Sequence, residues 1–82
     1  MKADIAIIGG VGHIGLPLGL LFAEKKKKII LYDKDEKNVK KVNNLEMPFM
    51  DKGASQLLKK NKKRIFATTD KKLLENANVI IV

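Results

Sequence analysis

Residues 3–15 read ADIAIIGGVGHIG, a short apolar run that passes directly into four closely spaced glycines. No other feature limits the fold as tightly. An apolar run of this length bounded by glycines is the pattern of a strand covered on both faces. The segment behind it, HIGLPLGLLFAEK, repeats its apolar positions Ile14, Leu18, Leu21 and Phe22 at helical spacing and closes on lysines. Pro17 falls near the first turn, where a missing N–H costs least. The chain therefore leaves a central strand, turns sharply and enters a helix within a few residues.

The same alternation continues. Ile29 to Asp33 (IILYD) reads as a second buried strand ending on a carboxylate, and Asp35 can cap a helix over Glu36 to Asn43 with Val39 and Val42 inward. Pro48 and Gly53 mark NLEMPFMDKGA as a loop, followed by a lysine-tailed helix over Ala54 to Lys62. Ile65 to Thr68 reads as a third strand. Asp70 is expected to cap a helix through Leu73, Leu74 and Ala77, and Val79 to Val82 to begin a fourth strand. Strands separated by helices throughout predict an α/β fold, a parallel sheet with right-handed crossovers and flanking helices. The run NVIIV ends on its apolar centre, so the domain is expected to be incomplete, residues 1–82 forming the N-terminal part of a longer one.

Composition narrows the function classes. Eighty-two residues make one small domain with a modest core. No apolar run approaches the roughly 18 residues of a membrane span, and the N-terminal run is too short for a secretory signal. There is no cysteine, hence no disulfide framework or thiolate metal site. A cytoplasmic protein without membrane contact is expected, and no metal site is expected. The net charge of +8 raises the question of nucleic acid. However, the lysines fall in separate clusters, several at expected helix C-termini where cations complement the dipole. Arginine and aromatic side chains, which read and stack on bases, are scarce. Nucleic-acid binding is not expected.

Gly10, Gly12 and Gly15 match G-x-G-x-x-G, in which each glycine has a separate task. Gly10 is expected to permit the turn out of the strand, Gly12 to let a pyrophosphate approach the backbone, and Gly15 to let the helix pack against the sheet. The free N–H groups at the helix start, at the positive end of the helix dipole, would hold the anion. Glycines also cluster at turns for steric reasons alone. Asp33, 18 residues beyond Gly15 at the end of the second strand, decides for the phosphate cradle, because a carboxylate there accepts the ribose hydroxyls of an adenosine. It would also repel a 2′-phosphate, which favours NAD over NADP, while Lys34 beside it is a cation that could receive one. His13 is expected to be a neutral wall of the pocket. Met47, Phe49 and Met50 are expected to be filler, and Thr68, Thr69 and Asp70 a strand-to-helix cap near the ligand edge.

With these motifs in place, the sequence resembles the N-terminal NAD-binding domain of the UDP-glucose/GDP-mannose dehydrogenase family, the nucleotide-sugar 6-dehydrogenases. GGVGHIGLPLGLLFAEK is similar to the family's glycine loop and first helix, and IILYDKDEKNVKKVNN to its second strand, terminal aspartate and following helix. EMPFMDKGASQLL, RIFATTD and NANVIIV extend the likeness over the whole chain. The resemblance implies a Rossmann-type sheet of order 3-2-1-4. It places the pyrophosphate on Val11, Gly12, His13 and Ile14 and the ribose on Asp33. The family's basic ribose contact falls at Asn38, with Lys37 beside it, and its acidic-proline-glycine turn appears as Asp51, Lys52 and Gly53. The implied reaction oxidises the 6-hydroxyl of a UDP-sugar to a carboxylate with two NAD. Its cysteine nucleophile and the central and UDP-binding domains would lie beyond these residues, so no catalytic residue is expected here. The rival readings are another dehydrogenase of the same fold, of hydroxyacid or hydroxyacyl-CoA type, and a non-catalytic NAD-sensing module. A fragment cut in its sheet is further expected to self-associate or to take a partner chain.

Overall fold

The computed structural model describes residues 2–82. Strands β1 (Ala3–Ile8), β2 (Ile29–Tyr32), β3 (Ile65–Thr68) and β4 (Ala77–Ile81) form one parallel sheet in the order β3-β2-β1-β4. The Rossmann-type order expected from the sequence is the one observed. Ile29, Ile30 and Leu31 of β2 are fully buried, as a central strand covered from both sides requires.

Helices α1 (Gly15–Glu24), α2 (Glu36–Asn43) and α3 (Ala54–Lys60) cover one face. Leu16, Leu20 and Ala23 of α1 join Ile7, Ile29, Leu31, Val39, Val42 and Leu58 in the main core. The approach is close: a Cβ on Gly19 of α1 would lie 2.7 Å from Leu31 Cδ2. The opposite face holds a smaller cluster of Ala3, Ala6 and Ile30 under Leu74 and Ala77. Register places Phe66, Ile30, Ala6 and Ile80 in one row across the sheet, and its outer members Phe66 and Ile80 are exposed.

Asp35 caps α2 as expected, its Oδ1 accepting the Asn38 N–H at 3.1 Å. At the far end of α2, the Asn43 amide mimics a strand. It donates to Ala67 O at 2.8 Å and accepts the Ala67 N–H at 3.0 Å, pairing the outer edge of β3.

Three expected elements differ in form. The helix after the glycines starts at Gly15 rather than His13, because residues 11–14 are spent on the turn that Gly12 N–H closes onto Gly9 O. The helix expected to reach Lys62 stops at Lys60, and a 3-10 turn (Lys62–Arg64) follows. Asn61 is the cause, for its buried amide donates both to Leu57 O and to Glu24 Oε2 and leaves the helical path. The segment behind Asp70 is a 3-10 helix (Lys71–Asn76), and Ala77 already belongs to β4. From β3 to β4 the chain must pass over β2 and β1, a lateral distance of about 14 Å at the usual strand spacing. The 3-10 form rises about 2.0 Å per residue against about 1.5 Å in an α-helix, so a short segment spans the gap.

The junction of α1 and α3 carries one ion pair, Lys60 Nζ to Glu24 Oε1 at 2.7 Å. Hydrogen bonds from Lys60 and then Asn61 hold the Glu24 carboxyl below its ordinary value of 4.5. A lowered folded-state pKa contributes stability above the unfolded value and loses it as pH falls through the folded one. Thermal midpoints should therefore drop below pH 4.5 more steeply in the native chain than in Glu24→Gln. Parallel curves would show that the pair contributes nothing.

Candidate functional site

The site forms where β1 ends and the sheet reverses its winding, with β2 on one side of β1 and β4 on the other. Gly9 makes the turn, at φ +75°. The sequence reading gave that task to Gly10, which serves another. A Cβ on Gly10 would lie 2.7 Å from Leu31 Cα, so Gly10 is required by the closeness of the loop to β2. Gly15 is pressed equally hard, with its Cβ position 2.3 Å from Gly9 O and 3.0 Å from Gly9 C. It packs α1 against the glycine turn, whereas the contact with the sheet is made by Gly19. Gly12 is far less confined than Gly10 or Gly15, its Cβ position meeting only Gly9 O at 3.4 Å.

The backbone N–H groups divide into two sets. Gly10 N–H donates to Tyr32 O, Gly12 N–H to Gly9 O, and Val11 N–H to Asp33 Oδ2 at 3.3 Å. Those of His13, Ile14 and Gly15 have no hydrogen-bond partner among the described residues. Three free donors at a helix start, with the positive end of the dipole behind them, make an anion site. Of the N–H groups expected to hold the anion, those of His13 and Ile14 are free, those of Val11 and Gly12 have partners within the chain, and that of Gly15 is a further free donor.

Asp33 lies just beyond β2, and its N–H donates to Thr68 O as the last bond toward β3. Its carboxylate accepts Val11 N–H through Oδ2 and Asp35 N–H through Oδ1 at 3.1 Å. These bonds fix the side chain against the glycine loop and leave each oxygen a further lone pair for a hydroxyl.

Two clefts meet at Ile8 and Gly9. One, of about 430 Å³, runs between Gly12, His13, Ile14 and Gly15 on one wall and Ile81 on the other. The second, of about 300 Å³, is lined by Ile8, Gly9, Tyr32, Asp33, Lys34 and Lys71. A dinucleotide fits this arrangement on the evidence of the geometry: an open approach at Gly12, free donors at the helix start and a fixed carboxylate at the strand end. A larger cleft, about 490 Å³ between α2 and Thr69, is walled by Glu36, Lys37, Lys40 and Asn44 and shares no lining residue with the two clefts at the glycine loop.

Of the residues singled out by sequence, Gly10, Val11, Gly12, His13, Ile14, Gly15, Asp33 and Lys34 come together here. Asn38 does not. Its N–H is taken by the Asp35 cap, and it lines neither cleft. Asp70 is a cap, its Oδ1 accepting Lys72 N–H at 3.0 Å. Two residues were missed. Phe49 stacks on His13 with ring centroids 4.2 Å apart and planes 20° from parallel. Lys71 enters the wall beside Asp33 because β3 lies next to β2, a neighbourhood that the strand order alone implies.

The model of the UDP-glucose/GDP-mannose dehydrogenase family, NAD binding domain, matches residues 3–82. The chain belongs to this family. Among its relatives is the UDP-glucose 6-dehydrogenase TuaD of Bacillus subtilis (strain 168), 37% identical over 57 residues, which cover 70% of this chain and 12% of the relative. A UDP-glucose dehydrogenase from the hyperthermophilic archaeon Pyrobaculum islandicum has the same fold, with a TM-score of 0.75 at 17% identity. That match covers 85% of this chain and 16% of the archaeal one, so the chain spans a small part of the proteins it resembles. It is an NAD-binding domain of an oxidoreductase family. No described helix is long and apolar enough to cross a membrane.

Proposed function

We propose that residues 1–82 are the cofactor-holding front of a cytoplasmic nucleotide-sugar dehydrogenase that oxidises the 6-hydroxyl of a UDP-sugar to a carboxylate with two NAD. The observation that carries this reading is the pairing of three free N–H donors at the start of α1 with a fixed carboxylate at the end of β2, in a chain of this family. The pyrophosphate would rest on His13, Ile14 and Gly15, with Gly12 beneath it, and the adenosine ribose would donate its hydroxyls to Asp33. The bound cofactor would supply hydride acceptance at its nicotinamide. This chain's own part is to orient the dinucleotide. Further segments would bring the sugar-nucleotide site and the catalytic residues.

Incubating UDP-glucose, and separately a UDP-N-acetylhexosamine, with NAD and the full-length protein that carries this segment should yield two NADH per sugar and a uronate. One NADH per turnover, or turnover only with a hydroxyacid or hydroxyacyl-CoA, would contradict the reading. The apolar side chains exposed on β4, Val79 at 53% and Ile80 at 46%, support self-association. The 82-residue chain should therefore sediment above its monomer mass of 9.2 kDa at high concentration. A monodisperse monomer would speak against that assembly.

A further inference from the structure

Of the three free donors at the start of α1, His13 has the least backbone support. Neither its N–H nor its C=O has a hydrogen-bond partner among the described residues. The turn around it closes elsewhere, through Gly12 N–H on Gly9 O at 3.2 Å and Leu16 N–H on Gly12 O at 3.1 Å. Ile14 is held through its C=O, which accepts Leu18 N–H at 3.2 Å. His13 O is left over because the residue four positions on is Pro17, which has no N–H to give.

What holds His13 is its ring. The imidazole lies on the Phe49 ring with centroids 4.2 Å apart and planes 20° from parallel. His13 is otherwise exposed and lines the cleft of about 430 Å³ at the glycine loop, a lining that does not include Phe49. Phe49 is the better-anchored partner, half-buried and packed against the main core together with Met47 of the same loop. That loop is tied to the end of α2 by Leu45 N–H on Val42 O and Glu46 N–H on Lys41 O. Ala54 N–H on Asp51 O ties it to the start of α3. Phe49 thus stands on a fixed base and offers a ring face to a residue whose peptide has no hydrogen bond.

We propose that Phe49 is a positioning residue of the cofactor site: its stack on His13 fixes the peptide that carries the first free donor of the phosphate cradle. The proposal rests on reading the start of α1 as the pyrophosphate site. Phe49 lies outside the cleft, so it acts through His13. A donor already held in place spares the ligand the ordering that a loose one requires on binding. The expected effect is that of one aromatic pair, about three- to tenfold in affinity.

Titration calorimetry of the 82-residue chain with NAD tests this in the native protein, in Phe49→Leu, Phe49→Tyr and His13→Ala, and in the double variant His13→Ala/Phe49→Leu. Phe49→Leu keeps an apolar side chain on the core but removes the ring, and should weaken NAD about three- to tenfold. Phe49→Tyr keeps the ring and should stay within about 1.5-fold of the native affinity. His13→Ala should lose about as much as Phe49→Leu, and adding Phe49→Leu to it should cost less than about 1.5-fold more, because the stack is already gone. A purely structural role in the core would instead cost the same with or without the His13 ring. In NMR spectra of the free chain, the His13 ring protons should stand upfield over the Phe49 ring and move downfield in Phe49→Leu. Circular dichroism confirms that each variant is folded, and Phe49→Met serves where Phe49→Leu is not. The proposal is overturned by native NAD affinity in Phe49→Leu, by an equal loss in Phe49→Tyr, or by a Phe49→Leu loss that persists in full on His13→Ala. If the native chain does not bind NAD, the dinucleotide reading falls first, and the inference with it.

Discussion

Asp33→Ala should weaken NAD binding about 10- to 150-fold, the equivalent of about 1.5–3 kcal/mol for a hydrogen bond to a charged group. The structure adds a second reason to the loss of the ribose contact. The Asp33 carboxylate ties the Val11 N–H of the glycine loop to the Asp35 N–H of the loop behind β2, so its removal also loosens the cradle. Asp33→Asn separates the two effects. It keeps one carbonyl oxygen for a backbone donor but turns an NH₂ group toward the other, and its affinity should fall between those of the native chain and Asp33→Ala. Calorimetric titration reads both. An unchanged affinity in Asp33→Ala would remove Asp33 from the site.

Gly15→Ala and Gly12→Ala should fail in opposite ways. The added Cβ of Gly15→Ala would stand 2.3 Å from Gly9 O and 3.1 Å from Gly10 Cα, backbone atoms that no side-chain rotation moves aside. Overpacking of this kind costs about 3 kcal/mol, a large part of the roughly 4–12 kcal/mol available to a chain of this size. The thermal midpoint should fall by about 12–24 °C. In Gly12→Ala the nearest atom is Gly9 O at 3.4 Å, so the fold should keep its midpoint within a few degrees. Its methyl group, however, would occupy the approach of the pyrophosphate, and NAD affinity should fall more than about tenfold. A Gly12→Ala variant that binds NAD normally would contradict the placement of the phosphates. A Gly15→Ala variant as stable as the native chain would contradict the closeness of α1 to the glycine turn.

Much of this was legible in the residues because the signals are local. Ala3–Ile8 is apolar and bounded by glycine, and the strand has those limits. Asp35 stands ahead of a periodic Val39–Val42 segment, and it caps the helix there. The order β3-β2-β1-β4 follows from the fold that these units and the glycine fingerprint imply. What stayed hidden depends on contacts distant in the sequence. The 3-10 form of Lys71–Asn76 is set by the lateral distance its crossover must span, which its own residues do not show. The exchange of tasks between Gly9 and Gly10 depends on how near Leu31 comes to the loop. The stacking of Phe49 on His13 joins two loops whose own residues suggested only a wall and a filler. The early stop of α3 at Lys60 likewise depends on Glu24, a partner 37 residues from Asn61.

The central claim is that NAD lies across the C-terminal end of β1, between the start of α1 and the end of β2. Adding NAD to the isotopically labelled chain and following its backbone amide resonances by NMR tests this most directly. The amides of His13, Ile14 and Gly15, which have no hydrogen-bond partner among the described residues, should shift together with those of Lys34 and Asp35 and saturate along one binding curve. Shifts confined to the cleft between α2 and Thr69, or none up to millimolar NAD, would contradict it.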